Sequence, residues 1–185
     1  QITTLDVSNN TALTELGFEE NQLDSLDVSN NIALTDLQCS INQITTLDVS
    51  NNTALTRLGC HSNQLDNLDV SSNTALTYLM CGGNLFTSLD VSNNTALTTL
   101  ECESLQLTTL DVSNNTSLAD LQCGSNLLTS LDVSSNPALT SLEGHNNQLT
   151  YLNMKNGVTD QLGYFKVTGN SSLTCIETLD PDYAT

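Results

Sequence analysis

The chain has 185 residues and a formal net charge of −18 at pH 7, because 21 Asp and Glu residues face only three Lys and Arg residues. This charge argues against nucleic acids and anionic membrane surfaces as partners, since proteins bind phosphate backbones by neutralising them with Lys and Arg. No apolar run approaches the roughly 18 residues of a membrane-spanning segment, so the sequence predicts no membrane insertion.

A repeat of 21 residues organises almost the whole chain. The tripeptide Leu-Asp-Val recurs at this interval without insertion, and a degenerate copy, LNM, begins at Leu152. The regular copies begin at Leu5, Leu26, Leu47, Leu68, Leu89, Leu110 and Leu131. A fixed period of this length is typical of a solenoid, in which each repeat forms one coil. We assign residues 1–149 to seven repeats of 21 residues, and residues 150–185 to a degenerate last repeat with a partial C-terminal cap.

Each repeat combines a constant half with a variable half. Alternation in the constant segment TTLDVS predicts that Leu5 and Val7 point inward, and alternation in the variable segment LTRLGCHS predicts the same for Leu58 and Cys60. Both halves therefore favour short extended segments, and neither has the periodicity of a helix. One coil cannot bury enough apolar surface to offset its ordering entropy, so the coils must stack. The sequence predicts an all-β-rich solenoid of parallel strands stacked coil by coil, with little or no helix.

The segment LTELGFEENQL, residues 13–23, fits the pattern LxxLxLxxNxL. On this pattern the chain resembles bacterial secreted or surface leucine-rich-repeat proteins with an internalin-like layout. The repeat motif LDVSNNTALTxLxC and the C-terminal segment NGVTDQLGYFKVTGNSSLTCIETLDPDYA resemble those of flavobacterial members of this group. The resemblance implies a right-handed leucine-rich-repeat coil whose main parallel sheet is built from the variable halves. It also implies an extracellular or cell-surface location and a role in binding other macromolecules.

Five of the six cysteines recur at the 21-residue interval on an inward position. They are Cys39, Cys60, Cys81, Cys102 and Cys123. The favoured interpretation is a column of free buried thiols that act as small apolar side chains. An oxidised pair and a metal site are the alternatives, but the parallel Cβ vectors of stacked strands suit a disulfide poorly.

One aspartate occupies the same outward position in every constant half. The column consists of Asp6, Asp27, Asp48, Asp69, Asp90, Asp111 and Asp132. The favoured interpretation is that each carboxylate accepts local hydrogen bonds from the following turn. The alternatives are weak Ca²⁺ sites along the column, for example at Asp48, Asp69 and Asp90, and an ice-binding face. Two further columns, of asparagine, are predicted to satisfy backbone groups at the corners.

No catalytic or cofactor-binding motif is present, so the sequence predicts a non-enzymatic protein without a cofactor. His61 and His145 occupy equivalent positions four coils apart, which at about 4.8 Å per coil separates them by about 19 Å. This separation excludes a metal site shared by the two histidines, and we predict no metal centre. Glu101 and Glu103 are interpreted as a solvated carboxylate pair on the sheet face.

The outward positions of the variable halves form a map in which the middle coils differ from the margins. The candidate contact site consists of Arg57, His61, Tyr78, Met80, Glu101 and Glu103. Tyr and Arg are common interface anchors, and exposed Met adapts to partners. We expect Gly59, Gly82 and Gly83 to leave a shallow depression beside these residues, with Ile41 as a further exposed apolar side chain. The alternative is tolerated drift on a solvated sheet.

The leading functional hypothesis is an extracellular or surface-displayed binding and adhesion module for a protein partner. A carbohydrate-binding surface module is an alternative, although sugar sites favour stacked aromatic rings and the map offers only Tyr78. A structural spacer is the second alternative. A spacer needs no localised patch, so the unequal middle of the map favours the binding hypotheses.

Overall fold

Strands from successive variable halves form the main sheet of the protein, whose computed structural model describes residues 1–179. The strands in chain order are β1 (Glu15–Gly17), β2 (Asp36–Gln38), β3 (Arg57–Gly59), β4 (Tyr78–Met80), β5 (Thr99–Glu101), β6 (Asp120–Gln122), β7 (Ser130–Asp132), β8 (Ser141–Glu143), β9 (Tyr151–Met154), β10 (Tyr164–Lys166) and β11 (Cys175–Thr178). The main sheet is parallel and has the order β1-β2-β3-β4-β5-β6-β8-β10. The predicted parallel solenoid is thus confirmed. The last six residues of the predicted cap, 180–185, lie outside the described residues.

The strands pair in the register of the repeat. Arg57 pairs with Tyr78 and Tyr78 with Thr99, so each outward column of the sequence map is a real row of neighbouring side chains. The register changes only at the last strand of the sheet, where Tyr164 pairs with Ser141. The degenerate end of the chain therefore adds an eighth strand to the face.

The constant halves form a second sheet only near the C-terminus, with the order β11-β9-β7. In the earlier coils the predicted alternation holds, since Val28 is buried and Asp27 is exposed, but no paired strand forms. The Val28 carbonyl shows the reason, because it accepts the Asn31 backbone N–H at 2.9 Å and the Asn52 side-chain amide at 3.0 Å. Turn and side-chain hydrogen bonds occupy groups that a strand ladder would use.

The core is a continuous apolar column that runs through all the coils. Leu58, Leu79 and Leu100 of three adjacent strands have no exposed surface. The five cysteines of the column are likewise fully buried, and they are free thiols, as the favoured interpretation predicts. Burial raises the pKa of Cys39 and Cys123 to about 12.

Two columns of asparagine connect each coil to its neighbours, as predicted. In one column, the Asn63 amide donates to the carbonyls of Cys39 at 3.0 Å and Cys60 at 3.1 Å, while its oxygen accepts from the Ile44 N–H at 3.0 Å. Leu105 interrupts this column and is fully buried.

The interruption at Leu105 changes the hydrogen bonds around it. The Asn126 oxygen of the next coil accepts the backbone N–H groups of both Leu105, at 3.1 Å, and Leu107, at 3.0 Å. The residue between them, Gln106, has a φ of 60°, in the left-handed region. The solenoid therefore accommodates the loss of one corner amide in two ways: the backbone at Gln106 becomes left-handed, and the Asn126 oxygen accepts both free N–H groups.

Helix is nearly absent from the part of the chain that the structure describes, where Thr159–Gln161 forms one short 3₁₀ turn. Within these residues no helix has the length and apolar character needed to cross a membrane.

We predict that Asn52→Ala lowers the free energy of unfolding by about 1–3 kcal/mol, because it removes buried donors to two carbonyls. The lost bonds run from the Asn52 amide to Val28 O at 3.0 Å and to Asn31 O at 2.9 Å. The matched control is Asn51→Ala, which removes an exposed bond of 3.4 Å to Ser29 O and should change stability by less than about 0.5 kcal/mol. Urea unfolding measures the free energy of unfolding of both variants. Equal losses of stability in Asn52→Ala and Asn51→Ala would contradict the structural role of the buried asparagine column.

We also predict that Cys175 is the only thiol of the native protein that reacts readily with a disulfide reagent, because it is exposed and the other five are buried. Burial disfavours the thiolate, which is the reactive form. Six thiols should react in denaturant, and the native Cys175→Ser variant should show none. Fewer than six thiols in denaturant without reductant would instead indicate an oxidised pair.

Candidate partner-binding site

The six residues of the predicted contact site lie on three neighbouring strands and the turns that follow them. They are Arg57, His61, Tyr78, Met80, Glu101 and Glu103. Strand pairing places Arg57 beside Tyr78 and Met80 beside Glu101. The other two members lie two residues beyond the ends of β3 and β5. The fold therefore brings the whole set onto one continuous surface.

Arg57 is held by two neighbours on the sheet face. Its guanidinium carbon lies 4.5 Å from the centre of the Tyr78 ring, a cation–π contact. Its Nε donates to Asp36 Oδ2 at 3.1 Å, and about half of its side chain stays exposed. A second cation, Lys166, lies further along the same face, where its Nζ is 3.5 Å from Glu143 Oε2.

Tyr78 is fixed from both sides. Its hydroxyl donates to Glu101 Oε1 at 3.0 Å while Arg57 covers its ring. Burial and the negative charge of Glu101 raise the pKa of Tyr78 to about 12. The aromatic side chain is therefore neutral at physiological pH and held in one orientation, which reduces the entropy lost when it contacts a partner.

A depression of about 310 Å³ lies beside Tyr78. Its lining consists of His61, Ser62, Met80, Gly82, Gly83, Glu101, Glu103 and Ser104. Gly82 and Gly83 are thus placed as predicted, and a Cβ on Gly82 would lie 2.6 Å from the Glu103 carbonyl oxygen. The prediction for Gly59 is wrong, because the Gln38 side chain covers the space above it.

Left-handed turns form one wall of the depression. Ser62, Gly83 and Ser104 follow successive strands with φ values of 53°, 65° and 57°. The same conformation recurs at Ile41, where φ is 55° and the side chain is 44% exposed. A positive φ is unusual for a β-branched residue. Ile41 at this position therefore gave little sign in the sequence that each coil makes a left-handed turn here.

Glu101 and Glu103 do not form the solvated pair that the sequence suggested. Glu101 binds the Tyr78 hydroxyl, whereas Glu103 Oε1 lies 4.0 Å from His145 Nε2. Burial raises the pKa of Glu103, and nearby His145 only partly opposes this effect. The two carboxylates therefore contact different side chains, while both line the depression.

The aspartate column behaves as its favoured interpretation predicts. Oδ1 of Asp48, Asp69 and Asp90 accepts, at 2.9 Å in each case, the backbone N–H of the serine two residues on. Hydrogen bonds from these serines hold the pKa of each carboxyl below its usual value. Weak Ca²⁺ binding along this column, the alternative interpretation, stays untested.

Comparisons with known proteins place the fold among leucine-rich-repeat proteins. No protein-family model and no curated protein matches the chain. The chain is similar to the functional domain of InlJ from Listeria monocytogenes, described as including a cysteine ladder, at 34% identity and a TM-score of 0.66 over 98% of this chain and 49% of that one. It is also similar to the leucine-rich-repeat protein LIC12759 from Leptospira interrogans, at 24% identity and a TM-score of 0.83 over 93% of this chain and 47% of that one.

A third structure, an internalin (InlF) from Listeria monocytogenes, has 22% identity and a TM-score of 0.68 over 95% of this chain and 64% of that one. The chain thus spans about half the length of the first two structures. These neighbours support the leucine-rich-repeat fold and the internalin-like layout that the sequence predicts. The flavobacterial type stays a prediction.

We predict that Tyr78 titrates near pH 12 and that Glu101→Gln lowers its pKa. Because the folded pKa lies above the unfolded value near 10, the contribution of Tyr78 to stability is complete below about pH 10 and is lost as the pH rises through about 12. Tyrosinate absorbance, taken as the difference from Tyr78→Phe, isolates this group. Glu15→Gln on the same face is the control, and an unchanged Tyr78 pKa in Glu101→Gln would disprove the coupling.

Proposed function

We propose that the protein is a non-enzymatic extracellular or cell-surface binding and adhesion module that recognises a protein partner through the variable sheet face. The observation that carries the proposal is the Arg57–Tyr78–Glu101 arrangement beside the depression, where two anchor side chains are held before any partner arrives. The internalin-like and leucine-rich-repeat neighbours support a protein-interaction module in general.

The contact site has the composition of an interface centre. Tyr and Arg are the residues that most often dominate binding energy, and the flexible Met80 side chain beside them adapts to the shape of a partner. On the other strands from β1 to β8 the equivalent positions carry polar or acidic side chains or glycine, for example Ser141 and Asp120, whereas β10 carries the exposed Tyr164. Among strands β1 to β8, the proposed anchor side chains are therefore concentrated on β3 and β4, next to β5.

The charge of the protein indicates the chemistry of the partner. A net charge of −18 repels acidic surfaces and attracts basic ones. A partner with a Lys- and Arg-rich surface around an apolar or aromatic contact fits this site. Arg57 already covers the Tyr78 ring, which leaves less aromatic surface for stacking a sugar and favours a protein over a glycan.

The experiment is affinity capture with immobilised Cys175→Ser protein, followed by a purified-component binding measurement for any protein recovered. Tyr78→Ser/Met80→Ser should weaken binding at least about tenfold, because it removes the central anchors. The matched control is Asp120→Ser/Gln122→Ser, which alters the same two columns on β6. It should change the affinity less than about threefold, and the association rate should fall with added salt.

The outcomes separate the site from the function. Equal effects of the two double variants would show that the contact site is elsewhere on the face. Failure to recover any specific protein, together with hits on a glycan array, would replace the proposal with carbohydrate binding. Failure of both would favour the spacer.

A further inference from the structure

Three metal-ligating side chains meet on the sheet face near the C-terminal end of the solenoid. They are Glu103 from the turn after β5, Glu143 at the end of β8, and His145 two residues later. One potential ligand atom from each lies within 4.8 Å of the others. His145 Nδ1 lies 3.7 Å from Glu143 Oε2, and His145 Nε2 lies 4.0 Å from Glu103 Oε1.

Gly124 makes this meeting possible. Glu103 and His145 belong to coils that are not adjacent, and Gly124 occupies the same column on the coil between them. A Cβ at Gly124 would collide with the imidazole Cε1, and it would lie 2.6 Å from Nδ1 and 2.9 Å from Glu103 Oε1. The missing side chain leaves a gap that the imidazole and the carboxylate fill.

The cluster is only partly open to solvent. The exposed fraction is 15% for the His145 side chain, 20% for Glu143 and 38% for Glu103. His145 Nδ1 is buried and has no hydrogen-bond partner. A buried polar atom without a partner is costly unless something binds it.

We propose that Glu103, Glu143 and His145 form a site for a divalent transition-metal ion, with Zn²⁺ as the best match. Imidazole and carboxylate are both established Zn²⁺ ligands, and three protein ligands leave a fourth position for water or for a group from a partner. Ligand atoms around tetrahedral Zn²⁺ lie about 3.3 Å apart. From their present separations of up to 4.8 Å, the ligand atoms therefore close in by about 1.5 Å or less when the ion binds, a change within the reach of rotamer adjustment.

The net charge of −18 favours a cation, and the Lys166 ammonium must move away from Glu143 for an ion to bind there. The protein carries 21 acidic side chains, and Lys166 at 3.5 Å from Glu143 Oε2 is the cation that now neutralises this carboxylate. A bound ion takes over this neutralising role. This site is not the shared histidine site that the sequence excluded. His61 lies in the turn after β3, where its Nδ1 contacts Ser62, and it is not one of the proposed ligands.

The test uses ZnCl₂ as the only probe and the Cys175→Ser protein, so that an exposed thiol does not bind the ion. Equilibrium dialysis at pH 7 should show one bound Zn²⁺ per chain. His145→Gln and Glu103→Gln should each weaken binding at least about tenfold, whereas His61→Gln, in the same column, and Asp69→Asn, in the aspartate column, should leave it unchanged. Thermal unfolding without Zn²⁺ confirms that each variant is folded, and added Zn²⁺ should raise the melting temperature only where the site is intact.

A second pair of variants tests the gap itself. Gly124→Ala should weaken Zn²⁺ binding about tenfold or more by displacing His145, while Gly17→Ala, whose Cβ would meet only Glu19 Oε2 at 3.2 Å, should not.

Nitrogen NMR of the unsubstituted protein should show that Zn²⁺ shifts a His145 ring nitrogen and not His61. Zn²⁺ binding that is absent at about 1 mM, or indifferent to His145→Gln, overturns the proposal. No partner takes part in this test, so its result is independent of the proposed function.

Discussion

Side-chain amides that bridge neighbouring coils are the constraint on which the rest of the structure depends. A coil of 21 residues cannot bury enough apolar surface to fold alone, and its corners leave carbonyls that water cannot reach. Asn63 and its equivalents satisfy these carbonyls in their own coil and in the preceding coil at once. The same bonds fix the spacing and the register, and the register in turn determines which outward side chains become neighbours.

This division of roles explains why one half of the repeat is constant and the other varies. The constant half supplies the Val, Asp and Asn groups that close each corner. The variable half needs only its inward Leu and Cys and its corner Asn for stacking, so outward positions such as Arg57 and Tyr78 are free to acquire other roles. The contact site and the metal cluster both lie on this face, and Glu103 contributes to both.

The fold follows from the sequence because its period is regular and its alternation is strict. The columns of the map are also correct, since a period of two fixes which side chains share a face. Sequence reasoning missed the cluster because whether Glu103 reaches His145 depends on rotamers and on the empty space at Gly124. It also missed Lys166, because Tyr164 pairs with Ser141 at an offset of 23 residues. The prediction for Gly59 failed for the same kind of reason. The repeat pattern does not encode the direction of the Gln38 side chain, which covers the space above Gly59.

Leu105 has a mechanical consequence. Every other coil from Asn21 to Asn147 places an amide at this corner, whereas Leu105 offers no side-chain hydrogen bond to either neighbour. In an array held by nearest-neighbour interfaces, the interface with the fewest bonds has the lowest stiffness. Bending and twisting of the solenoid therefore concentrate at this coil. The weakened joint is the one between the Leu105 coil and the coil before it, because Asn126 still bridges the next interface by accepting the N–H groups of Leu105 and Leu107. Glu103 and His145 both lie on the C-terminal side of that joint, so the metal cluster and the strands that carry Arg57 and Tyr78 belong to two segments that can move relative to each other.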